Sequence, residues 1–327
     1  MTKPFTRLAQ FATSTYGICA VAASVWLAAA VVRAEPAVAE APAKKVDAKD
    51  ADTSVEDEPG TEWVRLKKDK RGRPVAMQTA IVRYRSTPEN GEAPVEVDLV
   101  GAVHVGDAAY YADLNKRFEQ YDALLYELVA PEGTRIEAGT KASNRHALGA
   151  MQNGMKNMLA LEHQLEKVDY TKPNFVHADM SPDEFFQSMA SKDESFLKMY
   201  FRMMGQSIAQ QSQMQANGAT PDVDMMRALF AKDRPRQLKI AMAGQLAEME
   251  SLLIAFGGEE GSTLITERNK AALKVLRQQL DAGKTKLGVF YGAGHLADMH
   301  DRLKADFGLS PVDVTWLTAW DLAASSE

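Results

Sequence analysis

Apolar residues alternate with polar ones along several short runs of the chain, and other runs repeat their apolar residues at helical spacing. Residues 76–85 alternate well enough to predict a strand, and residues 95–100 predict a second strand after a turn rich in Pro, Asn and Gly. Residues 107–120 carry apolar side chains at helical spacing, and residues 123–129 form a short apolar run. The order strand, helix, strand is typical of an α/β sheet.

Helical periodicity dominates the middle of the chain. It begins at Ser181-Pro182-Asp183-Glu184, which is a typical helix start, and continues with breaks to about residue 280. Residues 147–168 also predict a helix, and residues 175–178 predict a brief strand before this block. We therefore expect most of the middle of the domain to be helical.

The strand pattern returns near the end of the chain. Residues 286–291 and 312–317 predict strands, and residues 296–307 predict a helix between them. The fold class expected is therefore α/β, with a central mixed sheet built from the two ends of the domain. A large helical insertion over about residues 183–282 separates those ends.

The first 62 residues predict export followed by a linker. Lys3 and Arg7 precede an apolar run at residues 17–32, and a small-x-small cleavage pattern ends at Ala34. We predict a signal peptide over residues 1–34, a disordered linker over 35–62 and one domain over 63–327. The expected location is periplasmic or extracellular, without a stable membrane span after cleavage. An uncleaved membrane anchor at the N-terminus is the alternative, although the apolar run is short for a span of about 20 residues.

Composition excludes some classes of protein. The chain has 327 residues, 46% of them hydrophobic, and a formal net charge of -6, so nothing in its charge favours a nucleic-acid partner. Its single cysteine, Cys19, lies in the predicted signal peptide, so the mature chain would have no thiol chemistry. Many of the 16 methionines lie in the helical block, where we interpret them as core filler in preference to an apolar ligand groove.

One pattern occurs twice, as an apolar run that ends in a small-residue turn followed by a histidine. The first copy ends in Gly101-Ala102-Val103-His104 and the second in Gly292-Ala293-Gly294-His295. Open α/β sheets bind their ligands at the carboxyl ends of the strands, so we expect the two histidines to face one cleft. A neutral imidazole can bind Zn, Mn, Co or Fe and can also act as a general base, and the sequence does not separate these roles.

Charged residues near these turns are further candidates. Glu127 lies in the apolar run 123–129, where a carboxylate is costly unless it is paired, protonated or bound to a metal, so we favour a position in the cleft. Glu267 and Arg268 are adjacent early in a predicted helix, where a solvated helix face is the default interpretation. His177 and Asp179 flank a strand end that could line the same cleft.

The sequence resembles the TraB/PrgY, GumN and TIKI group of proteins, which is distantly similar to the erythromycin-esterase and ChaN-like proteins. The resemblance covers about residues 95–316 and rests on four motifs in matching order and spacing: Gly101-Ala102-Val103-His104, Glu127, Glu267-Arg268-Asn269 and Gly292-Ala293-Gly294-His295-Leu296. It implies an α/β fold with a helical insertion and a site between the two histidine turns. For the TIKI members it implies metal-dependent peptide cleavage, which points to His104, His295 and Glu127, with Glu267 and Arg268 as further site residues.

Three functions remain open from the sequence. The first is an exported metal-dependent hydrolase, expected to be a peptidase, with Mn, Co or Zn held by His104, His295 and Glu127. In it, Glu127 accepts the proton of a metal-bound water, and Arg268 steadies the oxyanion or holds Glu267. The second is a non-catalytic protein that binds a peptide or a haem-like ligand. The third is a metal-free, esterase-like hydrolase with His104 as the base. The substrate would be a peptide or a small molecule, and the sequence does not indicate the oligomeric state.

Overall fold

The computed structural model describes residues 59–87, 94–131, 134, 136, 159–194, 227–244 and 262–323. The predicted signal peptide lies outside the described residues, as does the predicted linker up to residue 58. Among the described residues, no helix is both long and apolar enough to cross a membrane.

The described strands fall into an amino-terminal group and a carboxyl-terminal pair. They are β1 (Val64–Lys68), β2 (Pro74–Ser86), β3 (Glu96–Ala102), β4 (Val105–Gly106), β5 (Ala123–Tyr126), β6 (Glu162–His163), β7 (Phe175–His177), β8 (Lys286–Gly292) and β9 (Leu309–Asp321). Seven of them form the main sheet, while β4 and β6 pair separately. The fold is therefore α/β, with its sheet drawn from both ends of the domain as predicted.

The main sheet has an antiparallel half and a parallel half. On the antiparallel side, β2 pairs with β9 along its length, while β1 and β3 pair with successive parts of β2. On the parallel side the order is β3, β8, β5, β7, and each of these strands runs parallel to its neighbour. Because β8 lies between β3 and β5, the second histidine turn is inserted between the first histidine turn and Glu127.

Helices connect these strands. They are α1 (Ala108–Phe118), α2 (Gln164–Lys167), α3 (Pro182–Ser191), α4 (described over residues 234–244), α5 (Arg268–Asp281) and α6 (Ala293–Phe307). A single π-helical turn, Thr263–Glu267, leads directly into α5. α3 begins with a capping box, in which the Ser181 side chain accepts from the Glu184 backbone N–H and the Glu184 carboxylate accepts from the Ser181 N–H. The sequence signal for this helix start is confirmed.

The core lies around β2 and the strands on either side of it. Trp63, Tyr84 and Trp320 are almost fully buried, and the indole Nε1 of Trp320 donates to the Val105 carbonyl over 2.8 Å. This bond joins the last strand to the segment that follows the first histidine turn. Burial of large aromatic side chains contributes much of the stability of a core.

Within the described residues, most predicted elements are present, with three differences. Residues 195–226 and 245–261 of the predicted helical insertion lie outside the described residues. The strand predicted over 123–129 ends at Tyr126, so Glu127 follows the strand and does not lie in it. The helix predicted over 147–168 is wrong in its described part, because β6 occupies residues 162–163 and only the short α2 follows. The strand predicted over 312–317 is longer than expected, because β9 pairs with all of β2 and not only with its central residues.

Candidate functional site

The four parallel strands each deliver a polar side chain just past their carboxyl ends. His104 follows β3, Glu127 follows β5, Asp179 follows β7, and His295 lies in the first turn of the helix that follows β8. Adjacent strands in a sheet lie about 4.8 Å apart, so these side chains come from neighbouring points of one edge. This edge is where open α/β sheets bind ligands.

Arg268, the first residue of α5, connects two of these side chains. Its Nη2 donates to Oε1 of Glu127 over 2.7 Å and to Oδ2 of Asp179 over 2.6 Å, and its Nε donates to Oδ1 of Asp179 over 3.0 Å. The side chains of Arg268 and Asp179 are 5% and 0% exposed, and that of Glu127 is 17% exposed. The guanidinium is therefore fixed in place by two carboxylates, and the cluster opens on the Glu127 side.

The ion pairs hold Glu127 and Arg268 in their charged forms. Burial alone would raise the pKa of Glu127, but the nearby charges of Arg268, His295 and His104 bring it well below its ordinary value. Burial alone would lower the pKa of Arg268, but Glu127 and Asp179 raise it above its ordinary value. Glu127 and Arg268 thus stabilise each other's charged form.

His295 is a buried imidazole with polar contacts at both ring nitrogens. Its Nδ1 lies 2.7 Å from Oδ1 of Asn269, and its Nε2 lies 3.5 Å from Nη1 of Arg268 and 3.7 Å from Oε1 of Glu127. Burial lowers the pKa of His295 to about 4, although the Glu127 charge acts in the opposite direction. The ring is therefore neutral at neutral pH.

His104 lies at the outer side of the site and is exposed to solvent. It is near enough to Glu127 for its charge to lower the pKa of that carboxyl group. Its carbonyl accepts from the backbone N–H of Gln164 over 2.9 Å. The Gln164 side chain donates to the hydroxyl of Tyr170 over 2.8 Å, while its buried Oε1 has no partner within the described part of the chain. An unpaired acceptor thus lies in the residue that binds the backbone of His104.

Gly292 allows the Glu127 carboxylate to lie against the end of β8. Its N–H donates to Oε2 of Glu127 over 2.8 Å, and a Cβ atom at this position would lie only 3.3 Å from the same oxygen. Close approach is one reason for glycine at such a turn. Gly101 in the first turn is also tightly placed, because a Cβ there would lie 3.1 Å from the carbonyl of Ala80.

The structure separates Glu267 from this cluster. Its carboxylate pairs with Lys192 over 3.2 Å and with Lys270 over 3.0 Å, and no contact with Glu127 or His295 is described. Nε2 of His177 donates to the Leu128 carbonyl over 2.6 Å, so this side chain supports the loop after Glu127.

Little or nothing in the sequence indicates the roles of two residues in the cluster. Asp179 was only one of several candidates at strand ends, and no local pattern predicts that it binds Arg268 from a distant helix. Asn269 belongs to a motif of the resemblance but had no assigned role. The choice between core filler and an apolar ligand groove concerns methionines that lie mostly outside the described residues. These are Met199, Met203, Met204, Met214, Met225, Met226 and Met249. Met242 is buried in the core.

The described residues do not fit the metal centre that the resemblance implies. Catalytic zinc sites use three protein ligands, and no group of three or more His, Cys, Asp or Glu side chains gathers around one point in the described ranges. Nε2 of His295 and Oε1 of Glu127 supply at most two metal ligands, and the guanidinium of Arg268 contacts both atoms. A positive group thus already occupies the position beside them.

A separate open cleft of about 720 Å³ lies between α1, β2 and β9. Its lining includes Asp107 and Asp113, but Lys239 and the Asp321 N–H bind the Asp107 carboxylate and Arg117 binds Asp113. The cleft contains none of the site residues predicted from the sequence. We assign no function to it.

No family model, no curated protein and no solved structure matches the chain.

Proposed function

We propose that the chain is a hydrolase that acts on peptides at the carboxyl edge of its parallel strands. The observation that carries the proposal is the gathering of two imidazoles, two carboxylates and a guanidinium from separate elements at this edge. Groups that can take a proton and stabilise a developing negative charge are the requirements of acyl hydrolysis. The family resemblance supports peptides as the substrate class.

The state of each group supports a division of roles. Glu127 and Arg268 are ionised and His295 is neutral at neutral pH, because burial and ion pairing move the pKa of each of them away from neutrality. His104 is the exposed imidazole, which water and substrate can reach. Since histidine is the side chain suited to proton transfer near neutral pH, we assign His104 as the general base.

The proposed reaction proceeds in two proton-balanced steps. His104 takes a proton from water as the water oxygen bonds to the substrate carbonyl carbon, and the Glu127 charge stabilises the imidazolium that results. Arg268 supplies fixed positive charge near the oxyanion, because its two carboxylate partners prevent it from moving away. His104 then returns the proton to the leaving nitrogen as the carbon–nitrogen bond breaks.

Variants of the base and its carboxylate neighbour test this function. His104→Ala and Glu127→Gln are each expected to lower kcat/KM for cleavage of a peptide mixture, followed by mass spectrometry, by about 100-fold or more. Asp313→Asn, which removes an exposed charge on β9, is the matched control and should retain wild-type cleavage. Wild-type cleavage by His104→Ala would contradict the proposal. Peptide that is retained intact by the wild-type protein would instead support the non-catalytic binding function.

Metal dependence stays a prediction from the resemblance. Elemental analysis of the purified protein, together with cleavage measured with and without a chelator, distinguishes a metal-free hydrolase from a metal-dependent one. Activity that survives chelation supports the metal-free version. Loss of activity on chelation, with bound Mn, Co or Zn that is lost in His104→Ala and His295→Ala, would overturn the role of His104 as a free base.

We also propose that the protein is exported, which the pattern of residues 1–34 supports. Cell fractionation and sequencing of the mature N-terminus test this, and a mature chain that begins at Glu35 is the expected result. A chain that retains Met1 in the membrane fraction would support the uncleaved anchor.

A further inference from the structure

Asn269 occupies a fully buried position between the starts of α5 and α6. Its Nδ2 lies 2.9 Å from the backbone carbonyl of His295 and 2.8 Å from Oδ2 of Asp298. Neither of these oxygens has a proton to donate, because one is a peptide carbonyl and the other a carboxylate. The amide of Asn269 must therefore present its NH₂ group to them.

This orientation determines which atom of Asn269 faces the imidazole of His295. With Nδ2 committed to two acceptors, Oδ1 of Asn269 faces Nδ1 of His295 over 2.7 Å. An amide oxygen can only accept, so Nδ1 must carry the proton. A reversed amide would lose two hydrogen bonds and would place oxygen against oxygen at both of them.

Asp298 holds the far end of this chain of contacts. Arg302, one turn further along α6, donates to both of its oxygens over 2.8 and 3.0 Å. The order Arg302, Asp298, Asn269, His295 thus runs from the partly exposed side of α6 to the buried imidazole. At each step, the hydrogen bond made by one residue determines whether the next residue donates or accepts.

We infer that Asn269 is a positioning residue that fixes His295 as the tautomer protonated at Nδ1, and that Asp298 maintains the Asn269 orientation. In this tautomer Nε2 keeps its lone pair and faces Glu127 and Arg268. Nε2 of His295 and Oε1 of Glu127 are then two neighbouring acceptors, which lie 3.7 Å apart. The Arg268 guanidinium serves both of them, because its Nη1 lies 3.5 Å from Nε2 and its Nη2 donates to Oε1 over 2.7 Å.

The opposite tautomer would change the site. A proton on Nε2 would point at the Glu127 carboxylate, and His295 would then compete with Arg268 for Oε1 in place of accepting from its Nη1. Loss of the Nδ1 acceptor favours this state, because an ionised carboxylate is a strong acceptor for the Nε2 proton. The consequence for catalysis rests on the hydrolase proposed above, whereas the tautomer itself does not.

Nitrogen NMR of protein labelled with ¹⁵N-histidine tests the inference directly. Long-range ¹H–¹⁵N spectra distinguish a protonated ring nitrogen from an unprotonated one, and a His295→Gln variant identifies the His295 signals. The wild-type protein is expected to show a protonated Nδ1 and an unprotonated Nε2. Asn269→Leu should move the proton to Nε2 and lower peptide cleavage by at least 10-fold, as for other histidines held in the wrong tautomer.

Two variants of Asp298 separate hydrogen bonding from charge and from general loss of structure. Asp298→Asn keeps an oxygen that accepts from Asn269, so the wild-type tautomer should remain. Asp298→Leu removes the same charge without an acceptor and should give a mixture of tautomers. An unchanged His295 spectrum in both Asn269→Leu and Asp298→Leu would overturn the inference. Absence of cleavage by the wild-type protein would instead contradict the proposed function and leave the tautomer result standing.

Discussion

Arg268 shows how a single residue can stabilise a site and limit its chemistry. Its guanidinium satisfies two buried carboxylates, and removal of one partner from such a cluster costs about 3–5 kcal/mol because a charge is left buried. The same contacts keep Glu127 ionised across the neutral range. A residue with this effect on its neighbours cannot be replaced without a change in both stability and charge.

His295 makes stability depend on pH. The folded pKa of about 4 lies below the 6.5 of an ordinary histidine, so between these values the unfolded chain binds a proton that the folded chain does not. The free energy of unfolding therefore rises with pH over this range, reaches its full value above about 6.5 and is lost as the pH falls towards 4. At about 1.4 kcal/mol per pKa unit, the contribution is on the order of 3 kcal/mol.

Urea unfolding of the wild-type protein and of His295→Gln between pH 4 and 8 measures this contribution. The difference in unfolding free energy between the two proteins should grow as the pH rises from 4 to 6.5 and stay constant above that. Glu127 adds a dependence of the same sign at lower pH, because its lowered pKa contributes stability above about 4.5 that is lost in acid. Parallel curves for the two proteins would contradict the buried, neutral state of His295.

At the scale of elements, backbone and side chain fit closely at the end of β8. The Gly292 N–H holds one oxygen of Glu127, and the missing side chain leaves room for it. Gly292→Ala should displace the carboxylate by a few tenths of an ångström. Since small displacements of catalytic groups are costly, we expect kcat for peptide cleavage to fall about 10-fold with little change in the unfolding midpoint.

Gly244→Ala in α4 is the matched control for this variant. A Cβ atom there meets nothing within 4 Å, so cleavage should be unchanged and stability equal or slightly higher. Equal cleavage by the two variants would mean that Glu127 has no catalytic role that depends on its position.

The sequence predicts the individual strands and helices better than it predicts which of their residues contact each other in the fold. Alternation and helical spacing depend on which face of each element is apolar, and so β2, β3, α1 and β8 could be recognised locally. The two Gly-x-x-His turns also predicted that both histidines lie at one edge of the sheet, and the structure places them there. Asp179 and Asn269 could not be assigned, because their partners come from elements far away in sequence and no local pattern records that packing.

At the scale of the molecule, β2 connects the two ends of the domain. It is covered along one edge by β9 and along the other by β1 and β3, so its amides are paired on both sides. By contrast, β7 has three residues and pairs with β5 alone in the described sheet. Stability is therefore unevenly distributed across the sheet.

Hydrogen exchange measured by mass spectrometry should follow this difference. The slowest amides are expected in β2, β3 and β8, and exchange in β7 should be faster because fewer contacts must open to expose it. The α1 helix, which packs against the β9 side, provides an internal reference for a mid-domain element. Exchange in β2 that is as fast as in β7 would contradict a cooperative unit built from both ends of the chain.

The paired edges of β2 also bring the first and last described strands close together. Val64 in β1 lies opposite Thr79, and Asp321 in β9 lies opposite Ala76, so both strands reach the same part of β2 from opposite edges. Two strand spacings, or about 10 Å, separate them there. A short linker could therefore join the domain ends, with new termini opened in the exposed turn at residues 70–72. The domain is thus suited to circular permutation and to insertion into a host protein.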